Sequence, residues 1–125
     1  MTERSRDWLR RDPDVTIWAF TRLELLSAIS RRRREQPNET DFFQRTRERL
    51  LNTMLLWTEI TDIHRVRANA ERLVELYPLR AADALQLGAA LVAAEGKPES
   101  LEFITFDRRL AHAAAGERFR VPAGE

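Results

Sequence analysis

The order of hydrophobic and polar positions in the first half of the chain predicts one strand followed by two helices. Residues 15–20 form a β-branched and aromatic run, Val-Thr-Ile-Trp-Ala-Phe, that is typical of a buried strand. A helix is expected from about residue 22 to residue 35, with Pro37-Asn38 as its stop. A second helix begins at Thr40-Asp41 and places four apolar residues at helical spacing: Phe43, Leu50, Met54 and Trp57.

The segments on either side of these elements carry turn and cap signals. Residues 3–11 are typical of the end of a helix, which Asp12-Pro13-Asp14 closes with a turn. Residues 58–61 predict a short strand, and Asp62 is in the position of a helix N-cap. The helix that follows ends before Pro78 and has the most regular apolar spacing in the chain: Ile63, Val66, Ala70, Leu73, Val74 and Tyr77.

The last third of the chain predicts a buried helix and two short strands. Residues 80–95 are apolar on nearly every side, so we expect this helix to be buried, and Gly96 and Pro98 end it. The remaining pattern predicts three short elements: a strand over 103–106, a helix over 107–115 and a last strand over 119–121.

Strands that alternate with helices in this way indicate an α/β fold with a parallel sheet covered by helices. In such sheets, ligands bind beyond the carboxyl ends of the strands. Glu24 and Asp107 each follow a predicted strand closely and should lie at that edge. Asp83, in the first turn of its helix, could join them there. The pattern therefore predicts a cluster of carboxylates at one edge of the sheet.

These three acids occur in nearly apolar contexts, which makes them candidates for a metal site. Burying ionised carboxylates is unfavourable unless a cation compensates, and Mg²⁺ and Mn²⁺ prefer oxygen ligands. Each acid also has a structural alternative. Asp107 is in the position of an N-cap, and Asp83 could favour the helix macrodipole. Glu24 could be a solvated residue paired with Arg22 or Arg31.

Composition narrows the function classes. The 125 residues fit a single domain over 1–125, and 43% hydrophobic and 33% charged residues are typical of a soluble globular protein. No apolar run is long enough for a membrane span. The absence of cysteine excludes a thiolate nucleophile or zinc ribbon and favours a reducing cytoplasm. Without a glycine-rich phosphate-binding motif, a nucleotide cofactor is not expected.

Charge gives only a weak indication of nucleic-acid binding, because the net charge is +1. The run Arg31-Arg-Arg-Arg34 could bind an RNA backbone. Cations on a solvated face at a helix C-terminus are the interpretation that the sequence favours. Arg80 and Arg108 are next to the acids in sequence and are better placed to contact phosphate or to pair with Asp83 and Asp107.

Two segments in the second half of the chain resemble a known family. Residues 79–90, Leu-Arg-Ala-Ala-Asp-Ala-Leu-Gln-Leu-Gly-Ala-Ala, and residues 103–110, Phe-Ile-Thr-Phe-Asp-Arg-Arg-Leu, resemble the C-terminal half of PIN-domain proteins, particularly the VapC-like toxins of toxin–antitoxin pairs. Residues 21–29, Thr-Arg-Leu-Glu-Leu-Leu-Ser-Ala-Ile, are similar to their glutamate-bearing helix. The resemblance covers nearly the whole chain and implies a PIN-like three-layer α/β/α fold.

The resemblance also implies a chemistry, that of an endoribonuclease dependent on Mg²⁺ or Mn²⁺. Glu24, Asp83 and Asp107 fall on the acidic positions of the family and would hold the metal as catalytic residues. A water molecule that the metal activates would attack the phosphodiester in line. Thr105 matches a small hydroxyl residue two positions before the last acid.

The chain departs from the family at its start. The family opens with an apolar strand that ends in Asp-Ser or Asp-Thr, and that Asp is a principal metal ligand. Here Met1 already lies in what resembles the following helix, so the first central strand and its acid are missing. We expect that the true start lies upstream of Met1; the alternative is a degenerate, inactive relative.

The implied partners are an RNA substrate, a cognate antitoxin protein that blocks the site, and a second copy of the chain in a homodimer. The alternative function is a catalytically inactive PIN-like module that binds antitoxin or RNA without cleaving. The RNA that is cut, the number of metal ions and the dimer face are not predictable from the sequence.

Overall fold

The structure is a computed structural model, and it describes residues 14–122. The predicted helix over 3–11 and most of the turn after it lie outside the described residues. The chain divides into two compact units with the boundary between Glu59 and Ile60, and each unit is described by itself. The prediction of a single domain stays a prediction.

The first unit is a helical hairpin with one short strand before it and one after it. Strand β1 is followed by helix α1, a 3-10 turn and helix α2, and strand β2 follows α2. Their bounds are Thr16–Trp18 (β1), Ala19–Glu35 (α1), Pro37–Glu39 (the 3-10 turn), Thr40–Met54 (α2) and Thr58–Ile60 (β2). In the described part of the chain β1 and β2 form a two-stranded parallel sheet.

The first strand is shorter than the sequence predicts. The expected strand over 15–20 ends at Trp18, because α1 begins at Ala19 instead of near residue 22. Trp18 is only 4% exposed, and its ring packs edge-on against that of Phe20 at 5.2 Å between centroids. The aromatic residues that indicated a strand therefore belong to the junction between the strand and the helix.

Helix α2 begins at Thr40 as predicted, and two of its four predicted apolar positions, Phe43 and Met54, are buried. Leu50 is half-buried, and Trp57 lies beyond the end of the helix, where it is also half-buried. The predicted strand β2 is confirmed at Thr58–Ile60.

The described part of the second unit contains three α-helices and a 3-10 turn at Pro98–Ser100. The α-helices are α3, α4 and α5, with bounds Ile63–Leu76, Ala81–Ala94 and Arg108–Gly116. Asp62 caps α3 as predicted, since its carboxylate accepts a hydrogen bond from the Arg65 backbone N–H at 3.2 Å. Leu73, Leu87 and Leu110, one from each helix, are among the fully buried side chains of the core.

Close contact between α3 and α4 depends on Gly88. The Asn69 side-chain amide of α3 donates to the Gly88 carbonyl at 3.1 Å. A Cβ atom on Gly88 would lie 2.8 Å from the Val66 carbonyl oxygen, so the two backbones approach as closely as a glycine allows. The prediction that the fourth helix is buried holds from Asp83 to Ala94, where no residue is exposed.

The periodicity of α3 was only partly informative. Val66, Ala70 and Leu73 are buried as predicted. Ile63 and Val74 are exposed, because the face of α3 that packs in the core is narrower than the run of apolar residues around the helix.

Two predicted strands in the second unit are wrong. Residues 103–106 and 119–121 form no strand; among the described residues their region contains a single parallel bridge between Glu102 and Arg120. Phe103 N–H donates to the Arg120 carbonyl at 2.8 Å, and the pairing extends no further along residues 104–106. β-branched and aromatic residues favour a strand, but a ladder also requires a neighbouring strand to bond to.

The predicted α/β class is confirmed, with helices as the dominant element and a short parallel sheet. Within residues 14–122, none of the helices combines the length and the apolar character that crossing a bilayer requires.

Candidate active site

Asp107 caps helix α5 with one of its two carboxylate oxygens. Its Oδ1 accepts hydrogen bonds from the backbone N–H groups of Arg109 at 2.9 Å and Leu110 at 3.1 Å. Asp107 is therefore an N-cap, as the sequence allowed, and it satisfies two of the free N–H groups at the start of the helix. Both bonds go to Oδ1, and within the described residues Oδ2 takes no part in the cap. The exposed Asp107 side chain can thus cap the helix and still offer an oxygen to a cation.

The hydroxyl of Thr105 holds the turn that presents Asp107. Thr105 Oγ1 accepts a hydrogen bond from the Asp107 backbone N–H at 3.1 Å. This local bond fixes the backbone one step before the cap, as Ser and Thr side chains commonly do in turns. Thr105 is half-buried. Its predicted contact with substrate stays a prediction, and the observed bond gives it a role in positioning Asp107.

Asp83 is half-buried in the first turn of α4 and precedes the fully buried Ala84. Burial raises the pKa of the Asp83 carboxyl above its usual value, because the charged form loses solvation. The negative charge of Asp107 raises the pKa further, and Arg80 opposes both effects. A shift of this kind indicates that Asp83 and Asp107 lie close enough to repel each other.

Of the three predicted acids, Asp83 and Asp107 influence each other through their charges. Both belong to the second unit, one from the start of α4 and one from the cap of α5. Glu24 is exposed on α1 in the first unit. Its membership of the same site stays a prediction.

The two predicted arginines lie beside the acids in the chain. Arg80 is the N-cap residue of α4, and Arg108 is the first residue of α5; both side chains are exposed. In the part of the chain that the structure describes, neither forms an ion pair within 4 Å. Their guanidinium groups are thus available for a phosphate, which stays a prediction.

The carboxylates of Asp83 and Asp107 are of the kind that binds a divalent cation. In residues 14–122 no group of three or more His, Cys, Asp or Glu side chains is arranged to hold a metal ion. Mg²⁺ keeps several of its waters and is commonly held by one or two carboxylates together with substrate phosphates. Asp83 and Asp107 are two such carboxylates, and a cation bound to both would offset the loss of solvation and the repulsion that raise the pKa of Asp83.

Sequence analysis missed a second charged cluster, in which Glu117 joins α3 to the end of α5. Arg72 Nη1 donates to Glu117 Oε2 at 3.2 Å, Nη2 donates to Oε1, and Tyr77 Oη donates to Oε2 at 2.9 Å. The Arg72 bonds lower the pKa of Glu117, burial opposes them, and the Tyr77 bond lowers it again. Tyr77 and Arg72 lie 40 and 45 residues before Glu117, so no local sequence pattern predicts their contact.

Comparison with known proteins gives one family. The family model described as PIN domain matches residues 1–116. No curated protein and no solved structure matches the chain.

Proposed function

Since the chain belongs to the PIN-domain family, a nuclease fold that is generally dependent on divalent metal, we propose that it is a Mg²⁺- or Mn²⁺-dependent endoribonuclease. The observation that carries the proposal is the placement of Asp83 and Asp107 at the starts of two helices of one unit, where burial and then the charge of Asp107 raise the pKa of Asp83. Asp107 stabilises α5 as its cap, but the repulsion between the two carboxylates opposes folding, and a bound cation would offset that repulsion.

Each residue of the proposed site has a distinct part in the reaction. Asp83 and Asp107 would hold the cation through carboxylate oxygens, Asp107 through the oxygen that the cap leaves over. The bound cation would supply charge stabilisation for the phosphoryl transition state and lower the pKa of the attacking water. Thr105 would keep the Asp107 backbone in place. Glu24 would add a third carboxylate, as the resemblance implies.

Arg80 and Arg108 would bind the phosphodiester. A guanidinium offers a planar fork of donors that fits two oxygens of one phosphate. The position of each arginine at the start of a helix, next to an acid of the pair, suits a phosphate that is also a ligand of the cation.

The finer part of the proposal concerns the biological role. We assign the chain to the toxin component of a toxin–antitoxin pair, acting on RNA in the cytoplasm. A cognate antitoxin would bind over the acidic pair, and a second copy of the chain would complete a homodimer. The resemblance of residues 79–90 and 103–110 to VapC-like toxins supports this assignment.

The test is cleavage of a labelled single-stranded RNA with Mg²⁺ or Mn²⁺ and with EDTA. Cleavage should require the metal and fall by about a hundredfold or more in Asp83→Asn and Asp107→Asn, the scale of removing a group that stabilises transition-state charge. Glu24→Gln should reduce cleavage as well. Asn is as good an N-cap as Asp, so Asp107→Asn should fold normally.

Asp62→Asn is the matched control, because Asp62 is also an aspartate that caps a helix in the second unit. It should cleave like the wild type. Metal-dependent cleavage that survives both Asp83→Asn and Asp107→Asn would contradict the assignment of the site. RNA binding without any cleavage would favour the alternative, an inactive PIN-like module.

A further inference from the structure

The C-terminal turn of α1 carries four consecutive arginines whose charges the described residues leave unneutralised. Arg31, Arg32 and Arg34 are exposed, and within residues 14–122 they form neither an ion pair nor a side-chain hydrogen bond. Arg33 donates to the side chain of Gln44 at 3.1 Å and is half-buried. Glu35 is four residues after Arg31, but this order of cation and anion is the less favourable one on a helix, and the two do not pair.

A favourable interaction with the helix dipole does not explain this run. One or two cations in the last turn are enough to complement the partial negative charge there, at a few tenths to about 1 kcal/mol each. Cations that serve as caps also donate to the last carbonyl oxygens of the helix. Arg31, Arg32 and Arg34 make no such bond among the described residues. Their donors are directed to solvent.

The second helix of the hairpin adds to the same basic end. The bond from Arg33 to Gln44 joins the end of α1 to the first half of α2. The next residue, Arg45, is also exposed. The hairpin over residues 19–54 carries eight arginines and five acids, whereas the whole chain has a net charge of only +1. The hairpin therefore carries a net charge of +3, which exceeds the net charge of the whole chain.

An exposed aromatic ring accompanies the arginines. Phe42 is 49% exposed and lies three residues before Arg45 on α2, so the two side chains are neighbours on the helix surface. An aromatic ring beside guanidinium groups suits a nucleic acid, whose bases stack on rings while arginines bind the phosphates. An acidic polypeptide has no bases that could stack on the Phe42 ring.

We propose that Arg31, Arg32, Arg34 and Arg45, with Phe42, form a binding surface for the backbone and bases of single-stranded RNA. The proposal rests on the proposed function for its choice of RNA. Binding through phosphates and stacking is independent of base sequence and depends strongly on salt. The surface thus retains RNA of many sequences, and the specificity of cleavage must come from elsewhere.

The experiment measures binding without cleavage, by fluorescence anisotropy of a labelled single-stranded RNA in EDTA at several salt concentrations. The triple variant Arg31→Gln/Arg32→Gln/Arg34→Gln should bind about tenfold or more weakly at low salt. The slope of log affinity against log salt should become shallower by about 2, because each lost phosphate contact on a single strand contributes about 0.7. Phe42→Ala should weaken binding about fivefold or more with the slope unchanged.

The matched control removes the same charge elsewhere, with Arg65→Gln/Arg67→Gln/Lys97→Gln, three exposed cations of the second unit. It should keep the wild-type slope. Circular dichroism and thermal melting verify that each variant is folded.

Three results would overturn the proposal: an unchanged slope in the triple variant, an equal loss in the control, or tighter binding of polyglutamate than of RNA by the wild type. The last would assign the surface to an acidic protein. Because binding is measured without metal, a protein that binds as expected but never cleaves would overturn the nuclease proposal and leave this one intact.

Discussion

Asp107 illustrates how one side chain can satisfy a structural and a chemical demand together. Its Oδ1 caps α5 through two backbone N–H groups. Sequence analysis treated the cap and the metal ligand as competing interpretations, but a carboxylate has two oxygens and about four acceptor positions. The cap fixes the side chain in a single orientation. A ligand that is already ordered loses less entropy when it binds a cation.

Glu117 gives the clearest pH dependence at the scale of a residue. Its folded-state pKa is lowered, chiefly by its bonds to Arg72. The ionised carboxylate therefore stabilises the fold above the unfolded pKa of about 4.3. That contribution is lost as the pH falls through the lower folded pKa.

Glu117→Gln should lower the stability at pH 7 by about 1 kcal/mol, because a charge-assisted bond becomes a neutral one. The difference from the wild type should shrink as the pH falls below about 4. Thermal melting from pH 3 to pH 8 measures both. Glu75→Gln, an exposed glutamate of α3, is the control and should be nearly silent. A deficit for Glu117→Gln that is as large at pH 3 as at pH 7 would contradict this account.

At the scale of elements, the helices of the described residues were predictable, whereas two of the four predicted strands were wrong. Asp62 caps α3, and the apolar spacing after Thr40 marks the start of α2, because caps and periodicity act over a few residues. Residues 103–106 have strand propensity but pair only through one bridge. Pairing depends on a distant partner, which propensity cannot report. The Arg72–Glu117 pair is invisible to local analysis for the same reason.

The close packing of α3 on α4 gives a prediction at this scale. Gly88→Ala would place a Cβ atom 2.8 Å from the Val66 carbonyl oxygen and 3.3 Å from the Ala70 nitrogen, both backbone atoms. Overpacking should destabilise the protein by about 1–3 kcal/mol, although alanine favours a helix by about 1 kcal/mol over glycine. Urea denaturation measures the net effect.

The control is Ala93→Gly, at a half-buried position of the same helix. It should destabilise only by the propensity difference, about 1 kcal/mol. If Gly88→Ala is instead more stable than the wild type, the two helices do not approach as closely as the structure shows.

At the scale of the whole molecule, the PIN-domain assignment and the coupled acids support one account. The sequence predicted the acids through their position after strands and in the first turn of a helix. The charge of Asp107 contributes to the raised pKa of Asp83 even though the strand expected before Asp107 is absent from the described residues. The cap on α5 and the Thr105 hydroxyl hold Asp107 without that strand. Glu24 lies in the other unit, and its membership of the site stays a prediction.

The central claim is that Asp83 and Asp107 bind one divalent cation, and calorimetric titration of Mn²⁺ tests it most directly. The wild type should bind Mn²⁺, and Asp83→Asn and Asp107→Asn should each weaken binding about tenfold or more, a loss of about 1.4 kcal/mol or more. Asp62→Asn should bind like the wild type, since the Asp62 carboxylate caps α3 and is not a member of the proposed pair. Mn²⁺ affinity that is unchanged in both Asp83→Asn and Asp107→Asn would contradict the account.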